Sequence, residues 1–173
     1  DGNSSFGKDV RWVNFGSIGA SWNIHNEKYF KSKIINLLKL KASFGTNGNS
    51  RIGSEESLGL YSYNESDNYA GESGGSMSAG PNPKLSWETT YMLNIGLRAE
   101  ILKRFDIEIE AYNNKTVDLL SNIDVSRTTG DTRVYRNIGS IQNRGIELTV
   151  SSKNIITDEF SWQTDFNMSH NSN

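Results

Sequence analysis

From Thr89 to Ile101 the chain alternates with a period of two. Tyr91, Leu93, Ile95, Leu97, Ala99 and Ile101 are apolar, whereas Thr90, Asn94, Gly96, Arg98 and Glu100 are polar or small; Met92 is the one exception. After a tight break at Lys103-Arg104 the alternation resumes, with Phe105, Ile107, Ile109 and Ala111 against Asp106, Glu108, Glu110 and Tyr112. Successive side chains of a strand point to opposite faces, so the pattern predicts a β-hairpin with one continuous apolar side. A helix would scatter the three carboxylates around its circumference; a strand lines them up.

The same signal recurs along the chain. Between Trp12 and Ile24, Ile18, Ala20, Trp22 and Ile24 oppose Ser17, Gly19, Ser21 and Asn23, although Val13 and Phe15 blur the start. Leu38, Leu40, Ala42 and Phe44 oppose Lys39, Lys41 and Ser43 in the stretch Leu37 to Thr46. Ile146, Leu148 and Val150 oppose Glu147, Thr149 and Ser151 between Arg144 and Lys153, and Phe160, Trp162, Phe166 and Met168 oppose Gln163, Asp165 and Asn167 between Phe160 and His170. About six strands are therefore predicted, in an all-β antiparallel arrangement.

The connections between these strands alternate in length. His25–Asn36, Lys103–Arg104 and Asn154–Glu159 are short, whereas Asn47–Ser86 and Ser121–Ile141 are long, polar and rich in Gly, Ser and Asn. Such composition reads as loop, with a short strand near Leu58–Tyr63. A connection of roughly 40 residues with little structure of its own is uncommon in compact soluble domains. Outer-membrane barrels show this asymmetry because short turns face the periplasm and long loops face outside. Trp22, Phe105, Phe160 and Trp162 all fall near the short-turn side, as an aromatic girdle at one membrane interface would.

Composition changes this picture only by exclusion. A formal net charge of −2 with no basic run argues against a nucleic-acid partner. With no cysteine, neither a disulfide framework nor a thiolate-bound metal is available. No run of 18 apolar residues occurs, so no transmembrane helix is predicted. The mean hydropathy of −0.59 decides nothing, because a barrel wall shows only half of each strand to lipid.

Candidate chemistry is sparse. Gly71-Glu72-Ser73-Gly74-Gly75 fits the spacing of a nucleophile elbow, but no helix pattern follows Ser73, so catalysis is not expected. His25 and His170 are isolated from metal-ligand spacings, the Asn64-Glu65-Ser66 sequon carries little meaning by itself, and no cofactor or metal is expected. Asp106, Glu108 and Glu110 would repel one another on one strand face unless solvated or paired; Arg98 on the neighbouring arm is placed to pair with one of them. Tyr61, Tyr63 and Tyr69 in the first long loop offer aromatic faces either to a sugar ring or partner protein, or to the loop itself.

Five stretches add a sharper signal. They are Asp1-Gly2-Asn3-Ser4-Ser5-Phe6-Gly7 with Arg11-Trp12, Leu40 to Asn49, Asn82 to Thr90 followed by Asn94-Ile95-Gly96-Leu97, Ala111 to Leu120, and Asn137 to Leu148. Together they resemble, in order and over nearly the whole chain, the SusC/RagA family of TonB-linked outer-membrane nutrient transporters of Bacteroidetes. The resemblance implies an up-and-down transmembrane β-barrel segment, about six strands from the C-terminal half of a larger plugged barrel of about 22. It implies a non-enzymatic chain in the cell outer membrane, with a SusD-like lipoprotein outside, TonB on the periplasmic side through parts that this chain lacks, and an oligosaccharide or peptide as cargo. Residues 1–173 would then be part of the barrel, 47–86 and 121–141 extracellular loops, the apolar faces would meet outer-membrane lipid, and Arg98, Asp106, Glu108 and Glu110 would face the lumen. The alternative is a soluble carbohydrate-binding β-sandwich, whose apolar faces would pack on a second sheet.

Overall fold

A chain that alternates polar and apolar residues satisfies its backbone only by pairing strand with strand. The computed structural model describes residues 1–53, 57–58, 60–69, 72–126, 128 and 133–173. Among these the strands are β1 (Ser17–Asn23), β2 (Ile35–Asn49), β3 (Leu60–Tyr69), β4 (Glu72–Ala79), β5 (Glu88–Ile101), β6 (Phe105–Val117), β7 (Leu120–Asp124), β8 (Arg133–Asn137), β9 (Ser140–Ile156) and β10 (Ser161–Ser172). The six strands expected from apolar alternation are β1, β2, β5, β6, β9 and β10, and they form one sheet in that order. Two further two-stranded sheets pair β3 with β4 and β7 with β8.

The chain divides into two compact units. One comprises Gly16–Thr46, Tyr91–Lys115 and Ile141–Asn173 and holds the six-stranded sheet; the other comprises Asp1–Phe15, Asn47–Thr90 and Thr116–Ser140.

In the sheet unit the register keeps like with like. Ile18 pairs with Phe44 and Trp22 with Leu40 on one face, while Ser17 pairs with Gly45 and Ser21 with Lys41 on the other. At the opposite edge Phe166 pairs with Val150 and Met168 with Leu148, until the register shifts between Trp162 and Gln163. That bulge lets Trp162 pair with Ile155, which the unbroken alternation of β9 would have assigned to the polar face.

The β5–β6 turn is closed by Arg104 N–H donating to Ile101 C=O at 3.0 Å, with Leu102 and Lys103 at φ 54° and 55°. This left-handed pair is usually Asn-Gly, and costs side chains about 1 kcal/mol or more each. Neighbouring segments hold it. Leu102 N–H donates to Ile34 C=O at 2.7 Å, Lys103 N–H to Asn36 Oδ1 at 2.8 Å, and Arg104 C=O accepts from Lys153 N–H at 2.9 Å.

The apolar face of this sheet is covered by nothing among the described residues. Its exposed members range from Leu40 at 36% to Ile18 at 74%, with Leu93, Ile95, Leu97, Ile109, Phe166 and Met168 between. Among the described residues, these side chains are not buried as the stacked second sheet of a β-sandwich would bury them.

The other unit has a core. Phe6, Leu85 and Trp87 are buried, and Val10, Val13, Phe15, Ile52, Leu120 and Tyr135 pack around them. The Trp87 ring lies 5.5 Å from Phe6 and 5.7 Å, edge-on, from Phe15, and its indole N–H donates to Arg11 C=O at 3.2 Å. A Cβ on Gly7 would stand 2.1 Å from Pro83 C=O, so only glycine fits this approach. This cluster explains the blurred start of the first strand. Val13 and Phe15 belong to it, so β1 begins only at Ser17, and Trp12 makes no more than an isolated bridge to Gly2.

The two long links also differ from structureless loop. β3–β4 lies within 47–86 and β7–β8 within 121–141. β3 overlaps the short strand expected near Leu58–Tyr63, whereas in β7 and β8 Ser121-Asn122 and the adjacent Val134-Tyr135 give no one-sided apolar alternation.

Candidate functional site: the polar face of the sheet

Every second residue of the six strands faces away from the apolar side, and these residues carry most of the sheet's charges. Arg98 forms a two-pronged pair with Asp106, Nε to Oδ1 at 3.0 Å and Nη2 to Oδ2 at 2.6 Å, as its place on the adjacent arm predicted. Planar guanidinium and carboxylate match in this geometry, which fixes both rotamers.

The other two carboxylates find a partner that sequence reasoning missed. Lys41 on β2 donates to Glu108 on β6, and also lies 3.4 Å from Glu110 Oε1. β5 runs between β2 and β6, so this lysine reaches past a whole strand. Gly96 makes that possible: a Cβ there would sit 3.3 Å from Glu110 Oε1 and 3.4 Å from its Cγ. A second bridge repeats the device. Tyr112 Oη on β6 donates to Asn171 Oδ1 on β10 at 2.7 Å, across β9, where a Cβ on Gly145 would collide with the tyrosine ring at 2.7 Å. The signal for both was a glycine within a polar row, legible only once the strand order is known.

Around these bridges the polar face holds a cavity of about 660 Å³, bounded by Lys41, Asn94, Glu110, Tyr112, Asn114 and Glu147. Asn94 Nδ2 donates to Ser43 Oγ at 3.5 Å, and Ser151 Oγ donates to Asp165 Oδ1 at 2.6 Å. Paired charges and amides of this kind hold water and polar ligands by hydrogen bonding, and none is poised as nucleophile beside a base.

The remaining candidates lie elsewhere. Tyr61 and Tyr63 are exposed and two apart on β3, hence on one face, with Tyr63 over Gly75 of β4. Gly71 and the side chains of Tyr69, Ser73 and the 64–66 sequon lie outside the described residues. His25 Nδ1 is 3.2 Å from Leu38 C=O, and His170 is an exposed member of β10. Among the described residues no group of three or more His, Cys, Asp or Glu is arranged to hold a metal ion.

A sheet with one uncovered apolar face and one charged face directs comparison to barrel walls. The sequence profile of the family described as TonB dependent receptor-like, beta-barrel, matches residues 1–172. The chain belongs to this family. Along its full length it is 39% identical to TonB-dependent receptor P39 of Formosa agariphila and 34% identical to TonB-dependent receptor SusC of Bacteroides thetaiotaomicron. It spans 17% and 18% of those receptors. The solved structure of the RagAB peptide importer in its open-open state matches 97% of the chain with a TM-score of 0.85 at 31% identity, and the match covers 18% of that protein's chain. In its closed-closed state the TM-score is 0.82. The six-stranded sheet is thus a segment of a larger TonB-dependent receptor barrel, a family of the Gram-negative outer membrane.

Proposed function

We propose that this chain forms part of the wall of a TonB-dependent outer-membrane transporter that imports oligosaccharides or peptides, with a SusD-like lipoprotein outside and TonB at the periplasmic side. One observation carries the reading: among the described residues nothing covers the face containing Ile95 and Leu97, while the opposite face pairs Arg98 with Asp106 and Lys41 with Glu108 and Glu110. In lipid the first needs no protein partner, and in a wet lumen the second needs no desolvation. The Leu102–Lys103 turn then faces the periplasm, 47–86 and 121–141 face outside, and Tyr61, Tyr63 and Tyr69 are available to cargo or lipoprotein. The chain catalyses nothing and acts as a conduit wall.

The test uses the complete receptor in its own outer membrane. Leu97→Arg is expected to abolish the folded, heat-modifiable receptor band, because an arginine at mid-bilayer costs roughly 2–4 kcal/mol. Normal assembly of that variant overturns the lipid-facing assignment. Uptake of labelled peptides and oligosaccharides should fall to background in a receptor deletion, and unchanged uptake of every compound would remove the import reading. Protease added to intact cells should cut within 47–86 or 121–141 before Lys103 or Arg104; the reverse order inverts the orientation.

A further inference from the structure

Apart from the polar face of the sheet, a second cavity of about 550 Å³ lies within the unit that holds Trp87, between the Gly80–Lys84 segment and β8. Pro81, Val125 and Val134 supply apolar wall, and the charged side chains on its lining are Lys84 and Arg136. Both are exposed, and among the described residues neither is in an ion pair. Asp124, beside Val125 in sequence, is already taken by Arg133 at 3.0 Å. Among the described residues, the cleft therefore presents two cations outside any ion pair beside aliphatic surface.

Its walls are tied together before any ligand arrives. Asn82 Nδ2 donates to Tyr135 C=O at 2.6 Å. The Asn137 amide clasps Ser86 from both sides, accepting from its N–H at 2.9 Å and donating to its C=O at 2.8 Å, and donates also to Asp118 C=O at 3.0 Å. Leu85, fully buried between Lys84 and Ser86, anchors the segment in the core. A site whose walls are held this way loses little conformational freedom on binding.

We propose that this cleft binds an acidic peptide, with Arg136 and Lys84 taking a carboxylate and Pro81, Val125 and Val134 receiving an aliphatic side chain next to it. A guanidinium and an ammonium together suit a carboxylate through charge-assisted hydrogen bonds. Sugar recognition commonly uses aromatic faces, and no aromatic side chain among the described residues lines this cleft. The inference deepens the transport reading by naming a cargo class and rests on that reading for its biological meaning, although binding itself does not require transport.

The experiment measures binding to the purified complete receptor in detergent, by fluorescence anisotropy. The probes are labelled tetrapeptides combining glutamate with valine, the same peptides with every carboxylate amidated, and a galacturonate tetramer. The acidic peptides are expected to bind, and more weakly as sodium chloride rises. Amidation, Arg136→Gln and Lys84→Gln should each weaken binding about tenfold, and the double variant should lose it. The variants must keep the heat-modifiable band, which exposed positions allow. Equal binding of amidated peptides, indifference to the double variant, binding of the galacturonate alone, or no peptide binding each overturns the proposal. Failure of import with peptide binding intact and sensitive to Arg136→Gln would instead remove the transport reading and leave the cleft standing.

Discussion

Leu85 and Leu97 are the same side chain in two settings. Leu85 is fully shielded, between the rings and aliphatic groups gathered around Phe6 and Trp87, whereas Leu97 is 38% exposed on a face that no described residue covers. The first unit stabilises itself as a small soluble domain does, by removing apolar surface from water inside a packed cluster. The second does nothing of the kind, and its strands gain definition from ladder hydrogen bonds and from charges paired on the polar side. An apolar surface of this extent is unfavourable in water and costs nothing in hydrocarbon. The difference shows that burial within the chain is the wrong measure of stability for the sheet, and the right one for the cluster.

The largest expected effect separates the two units. Trp87→Ala removes the ring that touches Phe6 and Phe15 and leaves a void, at a cost of about 3–5 kcal/mol. Limited proteolysis of the purified receptor should then open sites within 1–15 and 47–90, while the heat-modifiable band persists. Loss of the band as well would mean that the cluster is needed for barrel assembly. Next in size, Leu97→Arg should act in the opposite sense: assembly fails at roughly 2–4 kcal/mol, with no specific opening of those segments.

A smaller effect tests how the cluster is stitched. Asn137→Ala deletes the clasp on Ser86 and the bond to Asp118 C=O, leaving part-buried backbone groups without partners at about 1–3 kcal/mol. Hydrogen exchange should quicken at Ser86 and its neighbours and remain unchanged in β1 and β2. Uniform protection in the variant would show that the Phe6–Leu85–Trp87 contacts alone hold the segment.

How much of this was legible from the residues depended on whether a strand has a greasy side. β5 and β6 declared themselves through Leu93 to Ile101 and Phe105 to Ala111, and the Arg98–Asp106 pair followed because neighbouring arms share a face. β7 and β8 did not, since Ser121, Asn122, Arg133 and Arg136 leave no period to read. Lys41 was visible as a charge on the polar row of β2, but its reach to Glu108 and Glu110 depends on which strand lies between and on Gly96 being there. The register shift near Trp162 is equally silent in sequence, because Asn154 and Ile155 read as the start of the short connection, whereas β9 runs on to Ile156.

The smallest expected effect belongs to the residue next to Leu97. Arg98 and Asp106 are 45% and 36% exposed, so water already solvates both charges and screens their attraction. Exposed pairs contribute roughly 0–1 kcal/mol even when the geometry is good. Arg98→Gln is therefore expected to leave receptor abundance in the outer membrane unchanged and to move the urea midpoint of the extracted receptor only slightly, with the shift fading as salt is raised. Leu97 and Arg98 are adjacent in β5 and point to opposite faces, so the two variants form an internal control: chain position, strand and membrane depth are nearly the same, and only the face differs. Should Arg98→Gln prove as damaging as Leu97→Arg, the charged face would be the buried one, packed where its desolvated pair cannot be broken without leaving a bare carboxylate. That result would reverse which side of the sheet meets water, and with it the contrast between the two units.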